Sequence, residues 1–203
     1  MKLGRNMVPL ALVGLGTSLI LLVVVVVVGI AWYSNPPFGL GDAPPQPIAF
    51  PHTVHAGAPE QGGQGIQCEF CHRNVTKGAA ATVPAVEQCL FCHQQVTGTT
   101  ETARVEIAKV KASFENNTPI QWERVHRVPD HVRFVHEAHI RFFTEGETPE
   151  TQLPVSQVCS VCHGDVAGMT VVAPKPGQSL KMGTCLDCHR QNNIPTDCTV
   201  CHQ

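Results

Sequence analysis

The chain has 203 residues, enough for one modest domain or two small ones. Its charges nearly balance, with 14 lysines and arginines against 16 aspartates and glutamates, which argues against nucleic-acid binding. Aromatic residues make up only 5%, so a conventional side-chain core would be thin, whereas ten cysteines and eleven histidines are unusual. The cysteines and histidines therefore need an explanation that also supplies the missing core.

An uncharged apolar segment at residues 7–33 is the first predicted element. It exceeds the roughly 20 residues that a helix needs to cross a membrane. Lys2 and Arg5 precede it and Trp32 and Tyr33 end it, which predicts a cytoplasmic N-terminus at residues 1–6 and an exported remainder. A cleaved signal peptide is the alternative, but its apolar region is normally about 7–15 residues long and ends at a small-x-small site. Neither feature is seen, so we predict a single-pass anchor in the cell membrane with the rest on the periplasmic or extracytoplasmic side.

Residues 34–49 follow as a predicted linker. This segment contains five prolines and two glycines, which exclude a helix or a central strand. The composition indicates a semi-stiff spacer between the membrane and a domain at residues 50–203.

One pattern, C-x-x-C-H, occurs five times in that domain and uses all ten cysteines. The copies are Cys68, Cys71 and His72; Cys89, Cys92 and His93; Cys159, Cys162 and His163; Cys185, Cys188 and His189; and Cys198, Cys201 and His202. Zinc ribbons or disulfides could use the cysteine pairs, but neither needs a histidine after each second cysteine. Two cysteines on one side of a helical turn can bond the vinyl groups of a porphyrin while the histidine reaches the iron. The pattern therefore predicts five covalently attached haem c groups.

Five apolar macrocycles would supply the core that the aromatic residues do not. We therefore expect a mostly irregular and α-helical multihaem cytochrome c fold, similar to class III and with little strand, behind one N-terminal transmembrane helix. We expect that this domain does not fold without haem, as small metal domains fail without their ion.

The other six histidines are candidates for the second axial position of each iron. Residues 50–55 and 134–139 both read F-x-H-x-x-H, which indicates a duplication into a two-haem module at 50–100 and a three-haem module at 120–203. Histidines three apart on a helical turn point in similar directions and can reach two neighbouring irons. The predicted distal ligands are His52, His55, His136 and His139.

The fifth distal ligand must come from His126, His131, Met169 or Met182. We predict His126, with His131 as the spare histidine and methionine–histidine ligation as the main alternative. The linear spacing does not determine which distal histidine serves which iron.

Histidine on both faces leaves an iron no open position for a small substrate, which indicates electron transfer at a lower potential than a histidine–methionine cytochrome has. No catalytic residue is predicted, and the chain itself is not expected to be an enzyme.

The F-x-H-x-x-H element followed by C-x-x-C-H motifs resembles the class III multihaem cytochromes c. The segment Trp122–Ile140 is further similar to the pentahaem cytochrome subunit of the bacterial alternative complex III. That resemblance implies a respiratory or photosynthetic complex in which partner subunits, including an iron–sulfur subunit, oxidise quinol. Electrons would then pass through the haems of this chain to a cytochrome c or a terminal oxidase.

Three other functions remain open from the sequence. Membrane-anchored tetrahaem quinol dehydrogenases share the topology, but their first haem motif lies close to the helix, whereas Cys68 lies 35 residues beyond Tyr33. A multihaem reductase needs an open iron, which six spare histidines for five haems argue against. A zinc-binding interaction module would be colourless.

Overall fold

The computed structural model describes residues 8–34, 43–146, 152–176 and 180–202. The predicted cytoplasmic residues 1–6 and positions 35–42 of the predicted linker lie outside this part of the chain. The chain divides into two compact units, Met1–Asp42 and Ala43–Gln203.

In the first unit, the apolar segment forms the helix α1, Val8–Ser34. The stretch Val13–Trp32 has a mean hydropathy of 2.8, and none of it is buried against protein. Its run of β-branched valines suits a lipid environment, where backbone groups must be satisfied within the helix itself. The helix is long and apolar enough to cross a membrane, but a signal sequence near an N-terminus can also form such a helix, so the retention of α1 and the side of the membrane stay predictions.

The second unit is a set of short helices joined by irregular segments. They are α2 (His52–His55), α3 (Cys68–Cys71), α4 (Val86–His93), α5 (Glu101–Glu115), α6 (His136–Thr144), α7 (Val155–His163), α8 (Met182–Gln191) and α9 (Cys198–Cys201). Within the described ranges the chain forms no strand, and its one isolated β-bridge joins Val132 to His202. The prediction of a helical and irregular fold is thus confirmed for these residues, whereas its assignment to the multihaem cytochromes stays a prediction.

The longest helix of this unit, α5, carries no cysteine motif. The side chain of Thr100 accepts a hydrogen bond from the backbone nitrogen of Ala103 at 3.1 Å and so caps the first turn. Two ion pairs on its surface, Glu101 with Arg104 and Glu106 with Lys109, each join residues one turn apart. The helix packs against α4, which holds the second motif.

Each of the five C-x-x-C pairs lies on one helical turn. Two of these turns are the whole of α3 and α9, and the other three lie within α4, α7 and α8. The two cysteines of every motif therefore project from the same side of a turn. This is the arrangement that the motif predicts.

Two small clusters make up the apolar core of the described residues. The first contains Ile48, Leu90 and Val110, and the second contains Val75, Ile140 and Val158. Large apolar side chains inside the motifs are solvent-exposed, Phe70 to 46% and Phe91 to 67%. The protein atoms alone therefore leave apolar surface around the motifs uncovered.

Candidate haem-binding sites

Histidines from outside the motifs face histidines that end the motifs. Their ring centroids are 6.0 Å apart for His55 and His93, 6.1 Å for His139 and His189, and 6.4 Å for His136 and His163. Two imidazoles that share one metal, each with a nitrogen about 2 Å from it, have centroids about 6 Å apart. The spacing of these three pairs therefore fits an iron ligated from both sides.

His52 lies near the histidine of the first motif. Burial, together with the neighbouring His72 and His55, lowers the pKa of His52 to about 4. The two histidines of α2 thus lie beside different motif histidines, His72 and His93. In the same way, His136 and His139 of α6 face two different motifs.

Six of these histidines are fixed by the same hydrogen bond from Nδ1 to a backbone carbonyl. The pairs are His55 with Pro51 (2.9 Å), His72 with Thr82 (2.6 Å), His93 with Val96 (3.0 Å), His136 with Ala79 (2.7 Å), His139 with Val135 (2.8 Å) and His189 with Pro195 (3.0 Å). Because a carbonyl oxygen only accepts, Nδ1 carries the proton and Nε2 keeps a free lone pair. A histidine that ligates a metal through one ring nitrogen usually donates a hydrogen bond from the other, as these histidines do.

The phenylalanine that opens each F-x-H-x-x-H repeat contacts both histidines of the repeat. Phe50 meets His52 edge-on at 5.0 Å and lies nearly parallel to His55 at 4.2 Å. Phe134 repeats this geometry, at 4.9 Å from His136 and 4.4 Å from His139. Sequence reasoning used the phenylalanines only as part of a pattern. Their identical position in both repeats, two residues before the first histidine, was the sequence signal that they contact and position the histidines.

The distal helix of each predicted module is hydrogen-bonded to the other module. In α6, the backbone nitrogens of His136 and Glu137 donate to the carbonyls of Ala79 and Gly78, in the loop after the first motif. In α2, the backbone nitrogen of Thr53 donates to the carbonyl of Met169 after the third motif, at 3.2 Å. Each pair of distal histidines is therefore positioned partly by the other half of the domain.

The first and third motifs also meet through their cysteines. The neighbouring thiol of Cys159 holds the pKa of the Cys68 thiol below its ordinary value, and the closeness of Cys68 together with burial raises the pKa of Cys159. Both residues line a cavity of about 290 Å³ between these motifs. Cysteines that border open space are better suited to attaching a porphyrin than to forming a packed disulfide.

Burial favours the neutral form of several of these imidazoles by lowering their pKa. It lowers the pKa of His163 to about 4, with His126, His136 and His72 adding to the effect. It also lowers the pKa of His55 and of His126. Only the neutral ring can offer a nitrogen lone pair to a metal, so burial favours the form that ligates.

The candidates for the fifth distal position lie in different places. The ring of His126 contacts that of His163 at 4.3 Å, and its Nε2 atom is buried without a hydrogen-bond partner. His131 lies opposite His202, with ring centroids 5.4 Å apart. Met182 is the exposed first residue of α8. The carbonyl of Met169 accepts a hydrogen bond from the backbone nitrogen of Thr53 in α2.

Sequence reasoning missed Lys175, which supports the helix of the third motif. Its Nζ atom donates to the carbonyls of Val161 at 2.8 Å and Ser160 at 3.3 Å, near the C-terminus of α7. A cation at this end also complements the helix dipole. An isolated lysine in a loop carries no sequence signal for such a role.

Among the described residues, no three His, Cys, Asp or Glu side chains come together as a protein-only metal site would need. The histidines instead occur as facing pairs beside cysteine turns. No protein-family model matches the chain, and no curated protein matches it. Any assignment of the chain to a family therefore rests on its own motifs and geometry.

Proposed function

We propose that this chain is a membrane-anchored pentahaem cytochrome c that passes electrons within a quinol-oxidising complex similar to alternative complex III. The observation that carries the proposal is the facing of motif histidines by histidines from outside the motifs, at centroid distances near 6 Å. The Nδ1 hydrogen bonds to carbonyls support it, because they present Nε2 as a ligand.

The residues fit haem c at each of the five motifs. In each motif the two cysteines would hold the group covalently and the following histidine would supply a nitrogen ligand to the iron. When bound, haem supplies reversible one-electron chemistry. With the motif histidine on one side and a histidine from outside the motif on the other, the chain would leave no open position on the iron for oxygen, nitrite or similar small molecules.

Closed sites assign the quinol chemistry to other subunits. This chain has no cysteine outside the five motifs, so an iron–sulfur cluster would have to come from a partner. The acceptor in this proposal is a cytochrome c or a terminal oxidase. The helix α1 would hold the domain close to partners in the same membrane.

The test is mild detergent extraction of the chain from its native membrane. We expect a red preparation whose intact mass contains five haems, whose spectrum is low-spin, and which co-purifies with an iron–sulfur subunit. A chain that lacks a Soret band would overturn the haem assignment. A solitary haem-loaded chain reduced directly by added quinol would overturn the subunit role and indicate a stand-alone quinol dehydrogenase.

A further inference from the structure

We propose that His131, and not His126, is the distal ligand of the haem held by Cys198, Cys201 and His202. This assignment depends on the proposed function in one respect, since it takes the five haems as attached. It replaces the sequence-based preference for His126 and makes His126 the spare histidine.

Backbone pairing brings His131 to the fifth motif. Val132 forms an antiparallel bridge with His202, and the backbone nitrogen of Arg133 donates to the carbonyl of Cys201 at 2.7 Å. These contacts lie one and two residues after His131 in the chain. They hold its backbone beside the motif, whatever the conformation of its side chain.

The rings of His131 and His202 lie next to each other. The centroids of His131 and His202 are 5.4 Å apart, and their planes differ by 19°. This distance is shorter than the 6.0 to 6.4 Å of the other facing pairs by about half an ångström or more. Rotation of either side chain would widen this distance, because the contacts between the two segments are made by the backbone.

His126 is placed against a motif that already has a distal histidine. Its ring meets His163 at 4.3 Å and 76°, which is direct ring contact and leaves no room for a metal between them. On the same motif, His136 lies 6.4 Å from His163 with planes 13° apart, and its Nδ1 atom is held by Ala79. The third motif therefore takes His136, and His126 packs beside the pair.

Counting the pairs leads to the same conclusion. His55 faces the second motif, and His136 and His139 face the third and fourth. Of the two motifs that remain, the fifth has His131 beside it, whereas His126 lies against the third.

The test compares His131→Ala with the matched variant His126→Ala, both produced as the full haem-loaded chain. An iron with two histidines does not bind carbon monoxide, whereas an iron that has lost one does. After reduction, His131→Ala should bind one carbon monoxide per chain and show one high-spin haem, and added imidazole should restore the low-spin spectrum. His126→Ala should keep five closed haems.

Two further variants identify the motif and guard against misfolding. In a chain with Cys198→Ala and Cys201→Ala, which should carry four haems, adding His131→Ala should open no further site. His131→Met should keep all irons six-coordinate while raising the potential of one haem, because methionine raises the potential. The mass of each variant shows whether its haems are attached.

Opening of a site by His126→Ala, with or without an effect of His131→Ala, would overturn the assignment. Failure of both variants to open a site would overturn it too, and would indicate Met169 or Met182 as ligand. Carbon monoxide binding that persists when the fifth motif is removed would assign His131 to another haem. A wild-type chain without haem would overturn the proposed function itself, and this assignment with it.

Discussion

Phe50 and Phe134 each hold two imidazole rings at once. One ring is met edge-on and the other lies nearly parallel, at distances that agree within 0.2 Å between the repeats. Aromatic contacts of this kind contribute about 0.5–1.5 kcal/mol beyond the area they bury. The phenylalanine therefore restricts both histidines before any metal is bound.

Replacement of Phe134 should loosen His136 and His139 together. We expect Phe134→Ala to lower the free energy of unfolding by about 3 kcal/mol, as for a large-to-small change at a packed aromatic ring. We also expect partial carbon monoxide binding at two haems in the reduced protein. Phe134→Tyr keeps the ring and is the control. Equal behaviour of the two variants would show that the ring does not position the histidines.

Single residues also show how far the sequence could predict the site. The C-x-x-C-H motifs and the F-x-H-x-x-H repeats could be read directly, because their chemistry is local. The proposal of His131 in place of His126 could not be, since it depends on a bridge between Val132 and His202, seventy residues apart. The carbonyl partners of Nδ1 were equally hidden, because any backbone can provide them.

At the level of elements, the C-terminus of α7 shows how a motif helix is ended. Gly164 follows His163 with φ 75° and ψ −170°, a conformation that is essentially restricted to glycine. Lys175 binds the carbonyls of the same last turn. Together they let the chain turn sharply away beneath the third motif.

Gly164→Ala should therefore destabilise the domain although there is space for a methyl group. The nearest atoms to the added Cβ would lie 3.5 Å away, so the cost is backbone strain, about 1–3 kcal/mol. Gly183→Ala is the matched control, since that glycine lies in α8 in open space and an alanine there should be neutral or stabilising by up to about 1 kcal/mol. Denaturant unfolding of the haem-loaded protein compares them. An unchanged midpoint for Gly164→Ala would contradict the strain.

The presence of the short helices was predictable from the sequence, but the way in which they pack against other segments was not. Short helices at the motifs followed from cysteines that must share one side of a turn. The contact of α6 with the loop at Gly78 and Ala79 did not, because it joins residues more than fifty positions apart that carry no common pattern.

At the scale of the whole molecule, the main feature is how little protein is buried. The described part of the second unit has two clusters of three buried apolar residues each, and no large side chain is fully enclosed. Such a core provides little to offset the conformational entropy of ordering the chain.

We expect the domain to be unfolded when haem is not attached. The full chain, made in cells that lack cytochrome c maturation and kept in detergent, should show fast amide exchange across residues 43–202 and slow exchange only within 13–32. The haem-loaded chain should be protected in both regions. Protected amides throughout the apo domain would refute a haem-dependent core.

The fate of α1 can be measured on the same material. If it is an anchor, the protein extracted from membranes should retain residues 8–34 in its intact mass and resist an alkaline wash. Its exposed apolar side chains make it poorly soluble alone in water, so an anchored chain should also aggregate when detergent is removed. A mature protein that begins after residue 34 would identify a cleaved signal sequence.

The hydrogen bonds that α2 and α6 make across the two halves have a consequence for biogenesis. If haem is bound as proposed, the first site would use α2, which is hydrogen-bonded to Met169, and the third would use α6, which is hydrogen-bonded to a loop more than fifty residues earlier. Neither half would then form these contacts while the other is still inside the translocation channel. Haem attachment could proceed from the N-terminus as each motif emerges, but closure of the irons would wait until nearly all of the chain had crossed the membrane. Half-exported chains would then carry haems still open to small ligands, and the cell would have to protect them during this interval.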